Sequence, residues 1–532
     1  MAIGFGIASR NWWRAQIKGG LFPSFSLNFD TIGTDFTFTR NSFATRVNEN
    51  GLIEIVTDLG SELVTNGDFE NGTTDWSFGG DWTLVNGTAE ILTSTNSFLT
   101  QSNIIPLTVK TYKLEYEVVT TNGSNFRLAG GNSAFGTVTL DSATVGVKTV
   151  YLTSNGTKRN LQFNQNAFRG SIDNVSVQEV LEDDVPRIDY STGEAAFLLE
   201  PISTNLLTYS EEFTQWSGIS ATLTNSSSEA NPSNINAVGL ITGNSGTTSK
   251  FATLTTSTTS SKHTYSVFLK YNGHQFIQFA SGGSTEYGNF DIQNGIVGSG
   301  SAGTTLTIES FNNDWYRCVL NTSASITPTN MAIALVDSAT SSRLSSTSSV
   351  DSVYVWGAQL EALSYATSYI PTSGTTVTRA QESCVDATST INSEEGVLYA
   401  EFNVLADDNS YKMLELNDGS GTNRVVIYTF GSNIYGFVKS NGTANLNVFS
   451  VETVTDFNKV AIKWGTDETA FWINGVEINT GTSSTFTANV LDDLSFFGAG
   501  SHYFYGRTKD LKIYDKALTD DELINLTTIW KN

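Results

Sequence analysis

The sequence predicts an all-β protein made of several antiparallel β-sandwich domains. Charged residues make up only 15% of the 532 residues and aromatic residues 11%, while Gly alone contributes 46. Ser, Thr, Asn and Gly take the place of the missing charges, and these residues favour strands and turns over helix interiors. At about 100–200 residues per domain, this length accommodates three or four domains with cores of their own.

Two long Ser/Thr/Asn-rich stretches end alike, which is a second indication of repeated sandwiches. SIDNVSVQEV closes one stretch at 171–180, and SVDSVYVWGAQLE closes the other at 349–361. Their openings also match, because NGDFENGTTDW and YSEEFTQW each place an acidic residue before a Phe and a Trp soon after it. We therefore expect one sandwich fold to be used twice.

Short runs of alternating apolar and polar residues, separated by Gly and Asn clusters, are the third indication. A hairpin turn is predicted at 48–51, and the clearest strands that follow are YKLEYEVVT, HTYSVFLKYN, DWYRCVLNTS, GVLYAEFNVL, NRVVIYTF, NIYGFVKSN and KVAIKW. Only TDDELINLTTIW predicts a helix, since Thr519 can cap it and acidic residues fill its first turn.

The charge and the apolar pattern exclude several functions. A net charge of −24 and a pI near 4.4 make phosphate neutralisation unfavourable, so nucleic-acid binding is not expected. The sequence contains no stretch of about 20 apolar residues, so membrane insertion is not expected. The first residues also lack the pattern of a signal peptide. Two cysteines, Cys318 and Cys384, do not indicate a disulfide framework.

Three sets of segments resemble known families. NGDFENGTTDW with DNVSV is similar to the jelly-roll carbohydrate-binding modules of bacterial and phage proteins. FTRNSFATRVNENGLIEIV, VPRIDYSTGEAAFLLEPISTNLLTYSEEFTQW and VWGAQLEALSYATSYIPTSGTTVTRAQ look like a structural protein family of tailed phages. GVLYAEF, FWINGVEI and LKIYDKALTDDEL resemble the laminin-G-like, concanavalin-like sandwich.

The resemblance implies a domain order as well as a fold. In the phage family the first two of these segments lie close together, whereas a long stretch separates them here, so we expect that stretch to be an inserted domain. The expected domains are an N-terminal virion-attachment segment with a hairpin at 1–60, an inserted jelly roll at 61–182, a second jelly roll at 183–385 and a laminin-G/concanavalin-like lectin domain at 386–532.

By this resemblance, the chain is expected to be a tail or head fibre or appendage of a phage virion whose sandwiches bind host-surface glycans for adsorption. The expected partners are other virion structural proteins and host surface polysaccharide, and the expected assembly is a homotrimer. The protein would be made in the host cytoplasm and lie on the particle surface. The alternatives are a purely structural head or tail decoration protein and a secreted bacterial adhesin, which the missing signal peptide disfavours.

No motif points to catalysis. The three histidines are scattered, and the chain has neither a Gly-x-Ser-x-Gly elbow nor a His-Glu-x-x-His helix. Depolymerase fibres generally use repetitive β-helices, whereas this chain shows no short-period repeat. We therefore expect that the protein is not an enzyme.

The resemblance also implies a structural calcium ion. In similar jelly rolls, calcium is held by the acidic opening motif and by the Asp of the closing strand, which correspond here to Asp68, Glu70 and Asp173. Carboxylates suit calcium, which takes six to eight oxygen ligands. The alternative is that Asp68 and Glu70 are turn and edge residues without a metal.

Glycan-binding candidates are aromatic residues that can stack on sugar rings, together with polar residues that can bind hydroxyl groups. They are Trp82, Phe126, Arg127, Gln162 and Asn164 in the first sandwich, Tyr271 and His274 in the second, and His502, Tyr503 and Tyr505 in the third. The alternative for each aromatic residue is a place in a sandwich core.

The N-terminal segment is expected to be a virion anchor. Trp12 and Trp13 belong to an aromatic cluster with little room for a core of its own, and Arg14 adds positive charge to an otherwise acidic chain. Burial against a symmetry mate or a virion protein would remove the exposed aromatic surface. The alternative is that these aromatics fold back onto the second sandwich.

Overall fold

The computed structural model describes residues 23–93, 97–323, 325–387, 391–498 and 502–529. The chain forms two compact units, one of residues 57–183 and one that combines residues 1–56 with 184–532. Strands dominate both units, and the predicted antiparallel sandwiches are confirmed. Within the described ranges, no helix is long and apolar enough to cross a membrane.

The unit of residues 57–183 is a sandwich of two antiparallel sheets. In spatial order the first sheet contains Gly146–Thr153, Thr111–Thr121, Gly170–Leu181, Thr88–Ile91 and Thr83–Val85, with Asp58–Glu62 also paired to Gly170–Leu181. The second sheet contains Val138–Thr139, Arg127–Leu128, Leu161–Asn164, Phe98–Gln101 and Trp76–Phe78. Tyr112, Leu114 and Tyr116 alternate into the core between the sheets, as the pattern of YKLEYEVVT predicts.

The second sandwich repeats this arrangement. One sheet runs Thr305–Phe311, Trp315–Asn321, Thr264–Asn272, Ser352–Glu361, Val238–Gly243 and Ala221–Ser226. The other runs Ile296–Gly300, Tyr287–Asp291, Phe276–Ser281, Asn330–Val336, Lys250–Thr255 and Ser217–Ile219. In both sandwiches the closing segment forms an inner strand of its sheet, so the prediction that one fold is used twice is confirmed.

The matching openings also adopt the same local structure. Trp76 donates from Nε1 to the carbonyl oxygen of Asn66 at 2.9 Å, and Trp216 donates from Nε1 to the carbonyl oxygen of Tyr209 at 2.9 Å. Each indole also packs on the Phe of its motif, with ring centroids 5.3 Å and 5.0 Å apart. The indoles therefore fix the opening loop of each sandwich to its core.

The C-terminal sandwich includes strands from distant parts of the chain. One sheet runs Arg187–Asp189, Ala196–Leu199, Gly506–Tyr514, Gly396–Val404, Asn458–Trp464, Thr469–Ile473 and Val476–Gly481, with Phe25–Ser26 also paired to Gly506–Tyr514. The other runs Thr443–Val451, Asn433–Ser440, Arg424–Phe430, Lys412–Asn417 and Asp493–Ser495, and Phe497–Gly498 pairs with His502–Tyr503. Residues 187–199, assigned by sequence to the second jelly roll, thus extend the C-terminal sheet, because Phe197 and Leu198 pair with Thr508 and Arg507.

Short strand pairs and helices complete the fold. The pairs are Thr37–Thr39 with Ser383–Val385, Ser203–Asn205 with Val377–Arg379, and the hairpin Thr45–Val47 with Ile53–Ile55. The α-helices are Ile32–Asp35 and Asp520–Thr527, and the 3₁₀ turns are Phe213–Gln215 and Asn312–Asp314. The predicted C-terminal helix is confirmed, and Thr519 caps it in a reciprocal capping box with Glu522.

A buried ionic network links the segments that flank the second sandwich. Arg187 pairs with Glu382 and Glu200, Arg40 pairs with Glu382, and Arg379 pairs with Glu200, at N–O distances of 2.5 to 2.9 Å. These five side chains are at most 2% exposed. We refer to Arg40, Arg187, Glu200, Arg379 and Glu382 as the ionic network.

Candidate functional site

The outer face of one sheet in the C-terminal sandwich carries a row of aromatic side chains. Alternate residues of its strands, such as Leu414, Ile427 and Ile434, point into the core. The intervening residues point outward, and Tyr428 lies directly opposite Tyr435 on the next strand. Tyr435 in turn lies opposite Phe449 on the edge strand. We call Tyr411, Tyr428, Tyr435 and Phe449 the aromatic row.

Neighbouring rings of the aromatic row are in contact. The centroid distances are 5.2 Å from Phe449 to Tyr435, 4.5 Å from Tyr435 to Tyr428 and 5.9 Å from Tyr428 to Tyr411. The planes of Tyr428 and Tyr435 differ by only 5°, so these two rings cover each other's faces. Their edges and hydroxyl groups are therefore the parts that a ligand can contact.

The two hydroxyl groups in the middle of the row have no hydrogen-bond partner among the residues that the structure describes. Neither Tyr428 nor Tyr435 forms a side-chain hydrogen bond with any other described residue. Burial, with smaller effects from Tyr435 and Tyr411, raises the pKa of Tyr428 to about 12, so its phenol stays protonated at neutral pH. A neutral hydroxyl can both donate and accept a hydrogen bond, as a sugar hydroxyl requires.

The two ends of the row are open to solvent. Phe449 is 55% exposed, and its neighbour Val451 is 71% exposed. Tyr411, at the other end, is 41% exposed and contacts Phe430 and His502 at centroid distances of 4.6 Å and 4.8 Å. The row therefore offers exposed aromatic faces at its ends and hydroxyl groups at its centre.

Charged groups border the row on the same face of the sheet. Arg424 pairs with Glu415 at 2.5 Å and lies over the ring of Phe437, with its guanidinium carbon 5.8 Å from the centroid. The two charges neutralise each other, and because their side chains are only 14% and 3% exposed, the pair adds little net charge to the surface beside the aromatic rings.

The sequence identified only one edge of this surface. His502 contacts Tyr411 as described above, while Tyr503 and Tyr505 form a stacked pair with centroids 5.9 Å apart and planes 9° apart. The residues it missed are Tyr411, Tyr428, Tyr435 and Phe449. Part of the signal was available in NRVVIYTFGSNIYGF, because once the core positions are assigned, the other face of both strands includes aromatic residues, Tyr428 and Phe430 on one strand and Tyr435 and Phe437 on the next.

In the inserted sandwich the structure brings three predicted glycan-binding residues onto one face. Arg127 donates from Nε to Oδ1 of Asn164 at 3.1 Å, across paired strands. Gln162 lies on the same strand as Asn164 and donates from Nε2 to Oγ1 of Thr100 at 3.3 Å. Asn164 is itself buried, so Arg127 and Gln162 are the more accessible members. Their role in binding glycans remains a prediction.

Two predicted stacking residues are core residues instead. Phe126 is fully buried and packs against Tyr116, Phe163 and Phe168 at centroid distances of 5.1 to 5.6 Å. Trp82 is only 3% exposed and belongs to the same core. Their rings are occupied by protein neighbours, so their assignment as sugar-stacking residues was wrong.

The two candidates in the second sandwich differ from each other. Tyr271 is 39% exposed and can contact a ligand. His274 is buried, and its ring nitrogens contact Oγ of Ser349 at 2.9 Å and the carbonyl oxygen of Phe276 at 3.0 Å. Burial lowers the pKa of His274, and hydrogen bonding to Phe276 only partly opposes this. His274 is therefore a structural residue here, contrary to the prediction.

The predicted calcium ligands do not form a metal-holding cluster in the structure. Asp68 and Glu70 are exposed, and Asp173 accepts a hydrogen bond from its neighbour's backbone N–H at 2.7 Å. Burial raises the pKa of Asp173, and repulsion from Glu117, Asp68 and Glu70 adds to this effect. Throughout the part of the chain that the structure describes, no group of three or more His, Cys, Asp or Glu could hold a metal ion. Calcium binding therefore remains a prediction.

The predicted virion anchor, Trp12, Trp13 and Arg14, lies outside the described residues.

Several solved structures show partial similarity to the chain. The carbohydrate-binding module CBM40 of Ruminococcus gnavus IT-sialidase, bound to α2,3-sialyllactose, is 19% identical, with 26% of this chain and 84% of that chain covered and a TM-score of 0.22. A leech intramolecular trans-sialidase is 20% identical, with 26% and 24% covered and a TM-score of 0.23. Sheep galectin-11 is 9% identical, with 25% and 92% covered and a TM-score of 0.17. TM-scores at this level carry no information about ligand or activity.

The sequence of the C-terminal sandwich gives a more specific result. No curated protein shows significant similarity to the chain. Residues 389–524 match the family model described as the concanavalin A-like lectin/glucanases superfamily. This range contains the whole aromatic row, so the row lies on a domain that matches a lectin and glucanase family.

Proposed function

We propose that the protein binds host-surface glycans as an appendage of a tailed-phage virion, and that the aromatic row is its principal glycan-binding surface. The observation that supports binding is the row itself, which crosses the outer face of a sheet in a domain that matches a lectin and glucanase family and is exposed at both ends. Sugar rings have apolar faces that pack on aromatic rings and hydroxyl groups that need hydrogen-bond partners. Phe449 and Tyr411 supply the first contact, and Tyr428 and Tyr435 supply the second.

The charge of the protein narrows the class of glycan. A chain with a net charge of −24 repels anionic polymers at long range. The row itself consists of neutral side chains, and the nearby Arg424 is paired with Glu415. We therefore expect neutral hexose-rich glycans to bind better than sulfated or uronic-acid polymers, with an affinity that changes little with salt concentration.

The virion part of the proposal rests on the phage-like segments. Arg40, Arg187 and Arg379 come from the three segments that resemble one tailed-phage family, and all three take part in the ionic network. Arg40 donates its backbone N–H to Oδ1 of Asp184 at 2.6 Å and accepts the backbone N–H of Asp184 at 3.0 Å. Residue 184, which follows the unit 57–183, is thus hydrogen-bonded to residue 40 in the segment that precedes this unit. This contact supports insertion of the unit 57–183 into a pre-existing phage-type domain.

The binding proposal can be tested with the full-length chain on a glycan array. Phe449→Ala and Tyr411→Ala should each weaken binding about two- to tenfold, the range expected for losing one aromatic contact. Phe449 is 55% and Tyr411 41% exposed, and neither belongs to the core, so the fold should be retained. Tyr151→Ala is a matched control, because Tyr151 is 62% exposed but lies in the other unit. Unchanged binding by both variants, or no binding by the wild type, would contradict the proposal.

Two further measurements separate the alternatives. Because the matched superfamily includes glucanases, the bound glycans should be incubated with the protein and examined for new reducing ends; release of fragments would contradict a purely binding role. Labelling particles with antibodies to the chain tests the virion role. Labelled particles without glycan binding would support a decoration protein instead.

A further inference from the structure

The second sandwich has a cavity that the proposed glycan site does not use. It has a volume of 390 Å³ and is lined by the hairpin Thr45–Ile55, the loop around Ile235 and the ends of two other segments. The backbone N–H of Ile53 donates to the carbonyl oxygen of Pro232 at 2.9 Å, which fixes the hairpin to the loop. This volume lies within the usual range for small-molecule sites.

The walls of the cavity are mainly apolar and aromatic. Trp356 and Tyr369 contact each other with centroids 4.6 Å apart, and both line the cavity. At its rim, Ile235 is 59% exposed and Ile55 is 43% exposed. Exposed isoleucines beside buried aromatic residues form an apolar surface that a ligand could cover.

One carboxylate in the cavity lacks a cationic partner. Glu211 accepts a hydrogen bond from the Tyr369 hydroxyl at 2.8 Å. No Lys, Arg or His among the described residues forms an ion pair with it. Burial raises the pKa of Glu211, and the neighbouring hydrogen-bond donors Tyr369 and Trp356 only partly offset this effect. A bound cation would remove the electrostatic penalty that burial imposes on the ionised carboxylate.

The other carboxylate and the amide that line the cavity are satisfied within the protein. Glu54 is paired with Arg46 at 2.9 Å and accepts a hydrogen bond from Asn48 at 2.8 Å. The amide oxygen of Asn231 accepts hydrogen bonds from the backbone N–H groups of Ser233 and Ile235. Glu211 is therefore the charge on this surface that calls for an external partner.

We infer that this cavity binds a small organic ammonium ion, with the cationic nitrogen beside the Glu211 carboxylate and the apolar substituent against Ile55 and Ile235. A carboxylate attracts a cation, and the attraction increases where water is excluded. An amino sugar and an alkyl- or arylammonium share this chemistry. The site is separate from the aromatic row and does not depend on the proposed glycan specificity.

The inference can be tested by calorimetric titration of the full-length protein with benzyltrimethylammonium and, separately, with glucosamine. Binding of either ion, together with much weaker binding of its neutral counterpart, benzyl alcohol or N-acetylglucosamine, is the expected result. The comparison of the two ions shows whether the cavity prefers an apolar substituent or a sugar. Failure of both ions to bind at millimolar concentration would overturn the inference.

Substitutions locate the binding. Glu211→Gln, which keeps the shape of the side chain, should weaken ammonium binding at least about tenfold by removing the charge. Glu212→Gln is the matched control, because the adjacent Glu212 carboxylate accepts a hydrogen bond from Ser373 and does not line the cavity. Equal binding by Glu211→Gln and the wild type would overturn the inference.

A second variant provides an independent test in case Glu211→Gln does not fold. Ile235→Lys changes an exposed residue at the rim, so the fold should persist. The introduced lysine ammonium should repel a cationic ligand or pair with the Glu211 carboxylate itself. Binding of the ammonium ligand should therefore fall again. Retention of wild-type affinity in Ile235→Lys would place the bound ion elsewhere and contradict the inference.

Discussion

Arg187 and Glu382 form a doubly hydrogen-bonded ion pair between residues 195 positions apart, with Nε donating to Oε1 at 2.8 Å and Nη2 donating to Oε2 at 2.5 Å. Both side chains are fully buried. Glu382 also pairs with Arg40, so one carboxylate compensates two buried guanidinium groups. Burying charge is costly unless the charges are paired and hydrogen-bonded, so the segments that meet here depend on one another.

Removing the Glu382 charge should therefore destabilise the unit that contains it. Glu382→Gln removes the carboxylate that the buried Arg40 and Arg187 share, and a loss of about 3–5 kcal/mol is expected for breaking a buried ion pair. Chemical denaturation, followed by intrinsic fluorescence, measures this loss.

The control for this substitution is a similar pair at the surface. Arg46 and Glu54 form an ion pair at 2.9 Å, but their side chains are 28% and 38% exposed. Glu54→Gln should cost no more than about 1 kcal/mol, because exposed pairs contribute little. If Glu382→Gln costs no more than Glu54→Gln, the ionic network does not stabilise the fold as we expect.

The ionic network should also make stability fall in acid. Burial alone would raise the pKa of Glu200, but Arg379, Arg187 and hydrogen bonds from Ser368 outweigh it and hold the pKa well below its usual value. A depressed pKa in the folded state gives stability that is present above the unfolded pKa of about 4.3 and is lost as the pH falls below it. Unfolding free energies measured between pH 7 and pH 3 should therefore decrease most steeply below about pH 5. In Glu200→Gln this acid dependence should be weaker, and an unchanged profile would argue against the role of Glu200.

If no cation is bound, Asp173 should have the opposite effect on the pH dependence of stability, because its ionised form destabilises the fold. Its pKa is raised in the folded state, first by burial and then by Glu117, Asp68 and Glu70. The ionised carboxylate is therefore less stable in the folded state than in the unfolded state at neutral pH, and the penalty disappears as the pH falls through the raised pKa. Without calcium, Asp173→Asn should raise the melting temperature at pH 7 and have little effect at pH 4.

Added calcium turns the same substitution into a test of the metal prediction. If Asp68, Glu70 and Asp173 bind calcium, the wild-type protein is stabilised by about 2.7 kcal/mol at a hundredfold excess over Kd. Asp173→Asn should then lose this stabilisation, and a chelator should lower the melting temperature of the wild type only. A melting curve that is unaffected by calcium and by chelator would contradict the predicted site.

The sequence predicted sandwiches well because their cores follow local alternation. Tyr112, Leu114 and Tyr116 are buried as their spacing requires. Binding residues were harder to predict, because an aromatic residue in a strand has the same local pattern whether it faces the core, like Phe163, or solvent, like Phe449. Partners distant in sequence, such as Phe197 and Thr508 in adjacent strands, are set by tertiary packing and leave no short-range signal.

The final prediction concerns the inserted unit, which should fold when excised as residues 57–183. Its core is formed by its own residues, from Val64 to Val177. The sequence-based boundaries of 61–182 divide the strand Asp58–Glu62, whose residues Asp58 and Leu59 pair with Leu181 and Val180. A fragment of residues 61–180 keeps Glu62, which accepts the backbone N–H of Val177 at 2.8 Å, but loses the start of this strand.

We expect both fragments to unfold cooperatively and the shorter one to be less stable by about 1–3 kcal/mol, because each lost backbone hydrogen bond contributes about 1 kcal/mol. Thermal unfolding followed by near-ultraviolet circular dichroism measures the difference. If the 57–183 fragment lacks a near-ultraviolet signal or melts without cooperativity, the unit depends on the rest of the chain and is not an independently folding insertion.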